Sequence, residues 1–334
     1  MELIHADGAR SEIAVVRDLL SFDAEVSTKP DAREAENSWQ LRLGADSWQQ
    51  SPIMKGHSLY IDGTEWGGPV EKIAHNTRDG VVSLSGCTWR GMMARKVICP
   101  PEGKAYLYFN QTPVSKALRG IVLPQLGELF RIADDQADAL ITASFRFEPM
   151  LQGLQRMLAA GGLGMDVRYN SALRAVEIST RALQDHADSV DLSQDYGMDM
   201  VTTSGSLAGY NHLIALGRGE LTERTVIHLY RLQNGSISTQ RPAWAGSLAE
   251  RSVVYDYPNA ETPEELLKAA TNKLKEYEAL DILELDARDL DIPAQLGDIV
   301  GARDRVTGMA GKAPITGMIL KMSEAGIMIE KRVG

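Results

Sequence analysis

The chain is short of the features that mark a secreted domain, a membrane protein or a familiar enzyme. It has two cysteines, Cys87 and Cys99, among 334 residues, too few for a disulfide framework. One bridge is open to them, but they flank a short helical pattern and nothing in their spacing demands it. Reduced, buried thiols are expected, as for a product of a reducing cytoplasm. Aromatics make up 6 % of the chain, which leaves the core to aliphatics and methionine. No apolar run approaches the ~20 residues of a membrane helix. The opening MELIHADGARSEIAVV has no basic segment followed by a long apolar one, so no secretory leader is expected. Positive charge is in deficit, with 35 Lys and Arg against 45 Asp and Glu and a net charge of -10. There is no basic block. Nucleic-acid affinity is dominated by phosphate contacts, so a nucleic-acid-gripping protein is excluded. A passage that DNA crosses without sticking is compatible with this balance.

Motifs of known chemistry are missing too. There is no G-x-S-x-G elbow, phosphate-binding loop or H-E-x-x-H helix. The six histidines, His5, His57, His75, His186, His212 and His228, include no pair at metal-ligand spacing on one element. Gly217-Arg218-Gly219 lies between two strand patterns and reads as a turn, without the helix N-terminus a phosphate needs. Gly161-Gly162-Leu163-Gly164-Met165-Asp166 is one copy of a calcium repeat that works only by stacking; a helix exit into a strand explains it better. Asp185, Asp188, Asp191, Asp195 and Asp199 lack the order and closing Glu of a helix–loop–helix calcium site. They read as a solvated loop, with a weak divalent site as the alternative. Paired carboxylates for glycoside hydrolysis have no positive support. No residue is singled out as catalytic, cofactor-binding or metal-ligating, no cofactor is expected, and the chain reads as a structural or binding protein.

What is present is strand alternation in quantity. Residues 13–16, 20–26, 39–43, 58–61, 70–74 and 81–85 alternate over short runs, the last two around the hairpin dipeptide Asp79-Gly80. Residues 28–37 form a polar loop. A barrel or sandwich is expected for this first part. At Gly86–Pro101, GCTWRGMMARKVICPP, the pattern turns into a short helix with Trp89, Met92 and Met93 on one face, ended by Pro100-Pro101. The plain reading is a strand–helix corner with an apolar plug. Over 101–180 the period becomes helical. Thr112 as cap and Pro113 at the first position open a helix with Val114, Ala117, Leu118, Ile121 and Val122 on its face. A second helix begins near Glu148-Pro149 and ends at Gly161-Gly162, before a hairpin of 164–169 and 174–179. Strands follow at 211–216 and 225–232. Residues 262–278 are the clearest helix, with Thr262 as cap, Pro263 next, and Glu264 and Glu265 in the first turn. The tail returns to strands at 282–287, at 296–300 with Gly297-Asp298 as a turn, and in a last hairpin of 315–320 and 327–330 around Glu324-Ala325-Gly326.

Taken in order, these features resemble the tail hub (tail-tip baseplate) proteins of long-tailed phages, in particular the group common in phages of actinobacteria. The carrying residues are Gly67–Ile73, then Gly86–Pro101, then a Leu-rich helix before Gly161-Gly162-Leu163, then Tyr210–Glu220 with Arg224, and finally the 262–280 helix with Leu296–Val300. Cys87 and Trp89 depart from the acidic or aliphatic residues the resemblance leads one to expect. The resemblance implies a mainly β, α+β chain with two tube-like β-barrel domains and an α+β insert. These map as 1–100, 101–180 (helix–helix–hairpin insert) and 181–334. It implies a homotrimeric ring at the virion tail tip, made in the host cytoplasm. The ring would join the tail tube to the tip or spike proteins, in company with distal tail and tape measure proteins, and DNA would pass its lumen without specific binding. Catalysis is not part of that role. Some relatives fuse a peptidoglycan-cleaving domain beyond the hub, and Gly334, directly after the last hairpin, leaves no room for one here. The competing readings are a tail-associated cell-wall or polysaccharide hydrolase and a carbohydrate-binding tip module. Trp39, Trp48, Trp66, Trp89 and Trp244 would be the candidate platforms of the latter.

Overall fold

A computed structural model describes residues 1–28, 36–133, 139–187, 191–193, 199–203, 209–232, 234–258, 260, 262–277, 282–287, 294–303 and 310–333. The chain divides into two compact units, Met1–Met200 with Glu284–Gly334, and Val201–Leu283.

The first unit is built on a long antiparallel run of strands. Its order is Gly326–Val333, Ala310–Ser323, Leu19–Ser27, Ser38–Gly44, Val81–Cys87 and Lys72–Asn76. Successive strand side chains point to opposite faces, and the burial follows. Phe22, Ala24 and Val26, Trp39, Leu41 and Leu43, Val82 and Leu84, and Leu320 and Met322 are all buried. The alternate residues Asp23, Glu25, Gln40, Arg42, Ser83 and Ser85 are more exposed. Each buried aliphatic or aromatic residue contributes about 1.5–3 kcal/mol relative to exposure, enough to hold this register against a one-residue slip.

The expected hairpin around Asp79-Gly80 is present, with Asn76 opposite Val81. So is the last hairpin, where Ser323 meets Gly326. The alternating runs of residues 1–86 do not pair into one sheet. Glu12–Val15, Ile4–Ala6, Ser58–Tyr60 and Gly67–Pro69 make a separate four-stranded sheet, while Leu19–Ser27 pairs with Ala310–Ser323 through Ala24 and Leu320. Alternation gives a strand its faces but does not name its partner. No sheet closes on itself among the described residues, so the expected barrels are not found within one copy. The expected polar loop at 28–37 falls mostly on residues 29–35, outside the described ones.

The two sheets meet where two glycines permit it. A Cβ on Gly68 would lie 1.9 Å from the Cys87 carbonyl oxygen, and one on Gly86 1.9 Å from the Pro69 oxygen. Glu71 N–H donates to the Ser85 oxygen at 3.0 Å beside them. The chain then enters helix α2, Trp89–Ala94, following the short α1, Ala45–Gln50. The Thr88 hydroxyl accepts from Gly91 N–H and caps α2. Trp89 and Met93 are buried and Met92 is half-buried, so the expected apolar plug is real. Trp89 stacks on Tyr169 at 5.1 Å, and the Tyr60 ring lies tilted against Tyr169 at 4.0 Å.

Helices α3 (Val114–Leu126) and α4 (Met150–Ala160) share an apolar core with that plug and with the hairpin Leu163–Asn170/Ala175–Ala182. Phe130–Ile132 adds a parallel strand to the hairpin. Thr112 is not the cap of α3. It ends a strand, Leu107–Pro113, and Pro113 itself holds the cap position in extended geometry, φ -52° and ψ 134°. Pro149 does the same for α4 at φ -55° and ψ 133°. A proline's fixed φ and missing N–H suit a strand-to-helix corner as well as a first helical position.

In the second unit, the strands Ile237–Ser238, Val226–Arg231, His212–Leu216 and Ser252–Asp256 form one sheet, the last two parallel. Helix α5, Pro263–Glu276, covers one face and packs Leu266, Ala270 and Leu274 against Leu213, Ala215 and Leu229. Thr262 caps it by accepting from Glu265 N–H at 3.2 Å. Gly217-Arg218-Gly219 lies in the turn after His212–Leu216, with Gly219 at φ +108°. No described helix is long and apolar enough to cross a membrane.

Candidate assembly surface

Several exposed apolar residues of the first unit lie on or beside a two-stranded ribbon. Leu107–Pro113 pairs antiparallel with Leu140–Phe145, and neither outer edge is paired among the described residues. The inner face carries Ile141, Ala143 and Phe145, all buried. The outer face carries Tyr108, 61 % exposed, and Leu140. At the ribbon's end Arg146 sits 5.7 Å over the Tyr106 ring. Phe147 follows, 67 % exposed, at φ +48°. Val97, also exposed, pairs across to Pro149. A bulky residue in the left-handed region is strained, and this one gains no burial in return. Clustered exposed apolar residues of this kind mark interaction sites. The open ribbon edges offer backbone donors and acceptors as well.

The long sheet presents the opposite character. Its outer face forms an open recess of ≈ 720 Å³ lined by Asp23, Glu25, Gln40, Glu71, Lys72 and Ser85 among others. Arg95 clamps Glu71 with two guanidinium nitrogens, one at 2.8 Å, and holds its carboxyl below the usual range. Arg332 binds Glu25 at 2.5 Å. These two pairs neutralise the Glu71 and Glu25 carboxylates locally.

A second, smaller recess of ≈ 270 Å³ lies over a charged seam. Arg90, almost wholly buried, donates to Glu65 at 2.9 Å and to the Met165 carbonyl at 3.0 Å. Burial pushes the Glu65 carboxyl up even though Arg90 opposes it. Arg181 bridges Asp166 at 3.2 Å and Asp298 at 2.5 Å. Asp298 is raised by burial, but backbone N–H groups of Gln184 and Gln295 and the Arg181 guanidinium outweigh this and hold it low. The seam ties the 294–299 segment to the insert hairpin, so its charges are consumed in structure.

The residues weighed from the sequence are scattered over the fold. His5 and His57 are linked Nε2 to Nδ1 at 2.8 Å, as are His212 and His228. His75 is exposed, and His186 Nε2 lies 3.6 Å from Asp298. Ser252 Oγ lies 2.8 Å from His212 Nδ1, an arrangement that brings a nucleophilic serine to mind. Glu250 Oε1 is 2.5 Å from the same nitrogen and accepts the Ser252 hydroxyl at 3.1 Å, so the three side chains form one hydrogen-bonded cluster that ties residue 250 to the strands at 212 and 252. Among the described residues, no three or more His, Cys, Asp or Glu side chains are grouped to hold a metal. Asp166 of the single glycine-rich motif binds Arg181. Asp185 is exposed and meets Lys312 at 3.3 Å; the side chains of the other four aspartates of that run lie outside the described ones. Trp39, Trp66 and Trp89 are buried and present no platform, whereas Trp48 and Trp244 are half-buried. Neither cysteine is in a disulfide. Cys87 is buried, but Cys99 is exposed, contrary to expectation, because the Pro100 break follows it on the surface. The ribbon was not foreseen. Its signal was Tyr106, Tyr108 and Phe109 within four residues of a chain otherwise poor in aromatics.

No protein-family model and no curated protein matches this chain. Solved structures do. The 43 kDa tail protein of prophage MuSo2 from Shewanella oneidensis superposes with a TM-score of 0.62 at 14 % identity, over 100 % of this chain and 98 % of that one. A tail protein from Neisseria meningitidis MC58 gives 0.57 at 14 % identity, over 99 % and 95 %. A chain of the phage P2 baseplate in its activated conformation gives 0.53 at 9 % identity, over 99 % and 98 %. The fold, from end to end, is that of phage tail and baseplate proteins.

Proposed function

We propose that this protein is a non-enzymatic structural component of a phage or prophage tail. Its place is the tail tip, where three copies form the hub ring that joins the tail tube to the tip or spike proteins. The observation that carries the reading is the end-to-end fold likeness to tail and baseplate proteins. The exposed ribbon supports it, since an aromatic surface with open strand edges is a liability in a monomer and an asset in an assembly. In this reading the tube-like wall is completed between copies, which accounts for sheets that stay open within one chain. Residues 1–100 and 181–334 supply that wall and 101–180 the peripheral insert. The polar outer face of the long sheet, with its locally paired charges and a chain net charge of -10, gives DNA nothing to grip. Distal tail, tape measure and tip proteins are the neighbours, and the hub group of actinobacterial phages is the kind that the sequence resembles.

Immunogold labelling of particles from the source cells tests the reading. Label at the distal end of a tail tube is the expected result. Label along the tail or on the capsid removes the hub, and no particle-associated label removes the tail role altogether.

A further inference from the structure

Asn76, Asn170 and Asn234 each brace a turn with their own side chain. Asn76 Oδ1 accepts from Arg78 N–H at 3.0 Å, Asn170 Oδ1 from Leu173 N–H at 3.1 Å, and Asn234 Oδ1 from Ser236 N–H at 3.1 Å. Such bonds fold the side chain back over the peptide unit that follows it. Asn76 and Asn170 are held at both ends, because their Nδ2 groups donate to Asp79 at 2.6 Å and to Glu177 at 2.7 Å. Thr77 and Ser171 follow them, each with a Cβ. Asn234 differs on both counts. Among the described residues none accepts from its Nδ2. The next residue is Gly235, at φ +80°, and of the eight asparagines in the chain only Asn234 precedes a glycine. Its Oδ1 also takes a second donor, the Ser236 hydroxyl, at 2.7 Å. Asn234, Gly235 and Ser236 are all exposed.

These features assemble an intramolecular acyl transfer. The Gly235 nitrogen, its proton lost to water, attacks Asn234 Cγ. The N–Cγ bond forms, the Cγ–Nδ2 bond breaks, and Nδ2 leaves as ammonia after regaining a proton. Water then opens the cyclic imide. Opening at Cγ gives aspartate. Opening at the Asn234 backbone carbonyl gives isoaspartate, whose main chain runs through Cβ and Cγ. The sum is amide plus water to acid plus ammonia, and nothing is oxidised or reduced. As the nitrogen adds, negative charge builds on Oδ1, which already faces two donors, the arrangement that stabilises an oxyanion. Gly235 has no Cβ to block the approach. One contact opposes the attack: Gly235 N–H donates to the Leu232 carbonyl at 2.9 Å and must be released first. The ladder beside it is short. Ile237–Ser238 pairs only with Tyr230 and Arg231, at the edge of the sheet, so the opening is local and low in cost.

We infer that Asn234 is a self-modifying site, converted without an enzyme to aspartate and isoaspartate, and that isoaspartate frees the edge strand Ile237–Ser238. The added backbone carbon shifts the register across the turn. The Leu232 N–H to Ser236 carbonyl bond, now 2.8 Å, and the pairing of Ile237 with Arg231 cannot both survive it. Release bares the outer edge of Val226–Arg231, a row of unpaired backbone groups ready to accept another strand. The inference stands apart from the tail reading and does not need it.

The test ages the full chain in mildly alkaline buffer and maps its peptides by mass spectrometry, with isoaspartate read by an isoaspartyl methyltransferase label. Conversion at Asn234 is expected ahead of Asn76 and Asn170. Ser236→Ala keeps the backbone donor and loses the hydroxyl, so it should slow conversion about fivefold, the worth of one hydrogen bond. In the aged chain the amides of 229–231 and 237–238 should exchange faster than in the fresh one. Asn234→Gln, aged alongside, should show no such change with time. No conversion at Asn234, or conversion no faster than at Asn76 and Asn170, overturns the site. Undiminished conversion in Ser236→Ala overturns the part given to its hydroxyl. Exchange unaltered by ageing overturns the release of the edge strand.

Discussion

His5 is where a single side chain governs pH behaviour. It is 1 % exposed, and burial followed by the neighbouring His57 lowers its pKa from 6.5 to about 4, with Asp7 pulling the other way. A base whose folded pKa is depressed binds its proton more readily in the unfolded chain. The native state is thus unaffected above pH 6.5 and loses stability as pH falls from 6.5 toward 4. The full loss corresponds to at most about 3 kcal/mol. His5→Gln should flatten that acid limb, read as urea midpoints at pH 7.5 and 4.5; an unchanged slope between the two would show that His5 does not carry it. Arg90 poses a different risk. Removing it leaves Glu65 buried without its partner, and Arg90→Met should cost about 3–5 kcal/mol. Replacing both residues by Met and Leu should recover most of that. Denaturant titrations of the two single variants and the double decide it, and additive losses would mean the pair is not coupled.

Individual elements show how far a sequence speaks. Helix α5 was legible because its signals are local: Thr262, Pro263, Glu264 and Glu265 each act within one turn. Thr262→Ala should cost the second unit about 1 kcal/mol, a loss visible in its thermal transition. The strands were legible too, as period-two runs. Their grouping was not, since Leu19–Ser27 chooses a partner almost three hundred residues away and nothing near it records that choice. Thr112 misled for a related reason. Its Thr-Pro pair fits a helix start and a strand end equally, and the antiparallel pairing of Pro113 with Leu140 settled the matter. Gly68 and Gly86 were visible only as glycines, yet they set the approach of two sheets. Gly68→Ala should cost about 3 kcal/mol, the upper range for overpacking, because the Cβ would meet a backbone oxygen that cannot swing aside. A chemical-denaturation midpoint within error of wild type would show that the sheets can part without penalty.

At the scale of the whole molecule, the question is whether exposed strain serves assembly. Phe147 combines a left-handed backbone with an exposed ring. For folding alone, Phe147→Gly should be neutral or stabilising by up to about 1 kcal/mol, because glycine adopts that φ freely. For assembly the same change removes an aromatic anchor beside Tyr106 and Tyr108, and aromatic anchors carry a disproportionate share of interface energy. The two effects have opposite signs, so one variant separates them. On the tail role proposed above, Phe147→Gly is expected to raise or hold the melting temperature of the isolated chain while lowering its incorporation into tail particles, measured by quantitative blotting of purified tails. A variant that melts lower and incorporates normally would make Phe147 a folding residue and move the assembly surface off the ribbon. In the sequence the ribbon shows only as the aromatics at 106–109, and the same physics explains why their exposure does not. A residue kept for a contact outside the chain leaves no complementary pattern within it, so only the folded surface exposes the mismatch between where Phe147 sits and what folding by itself would favour.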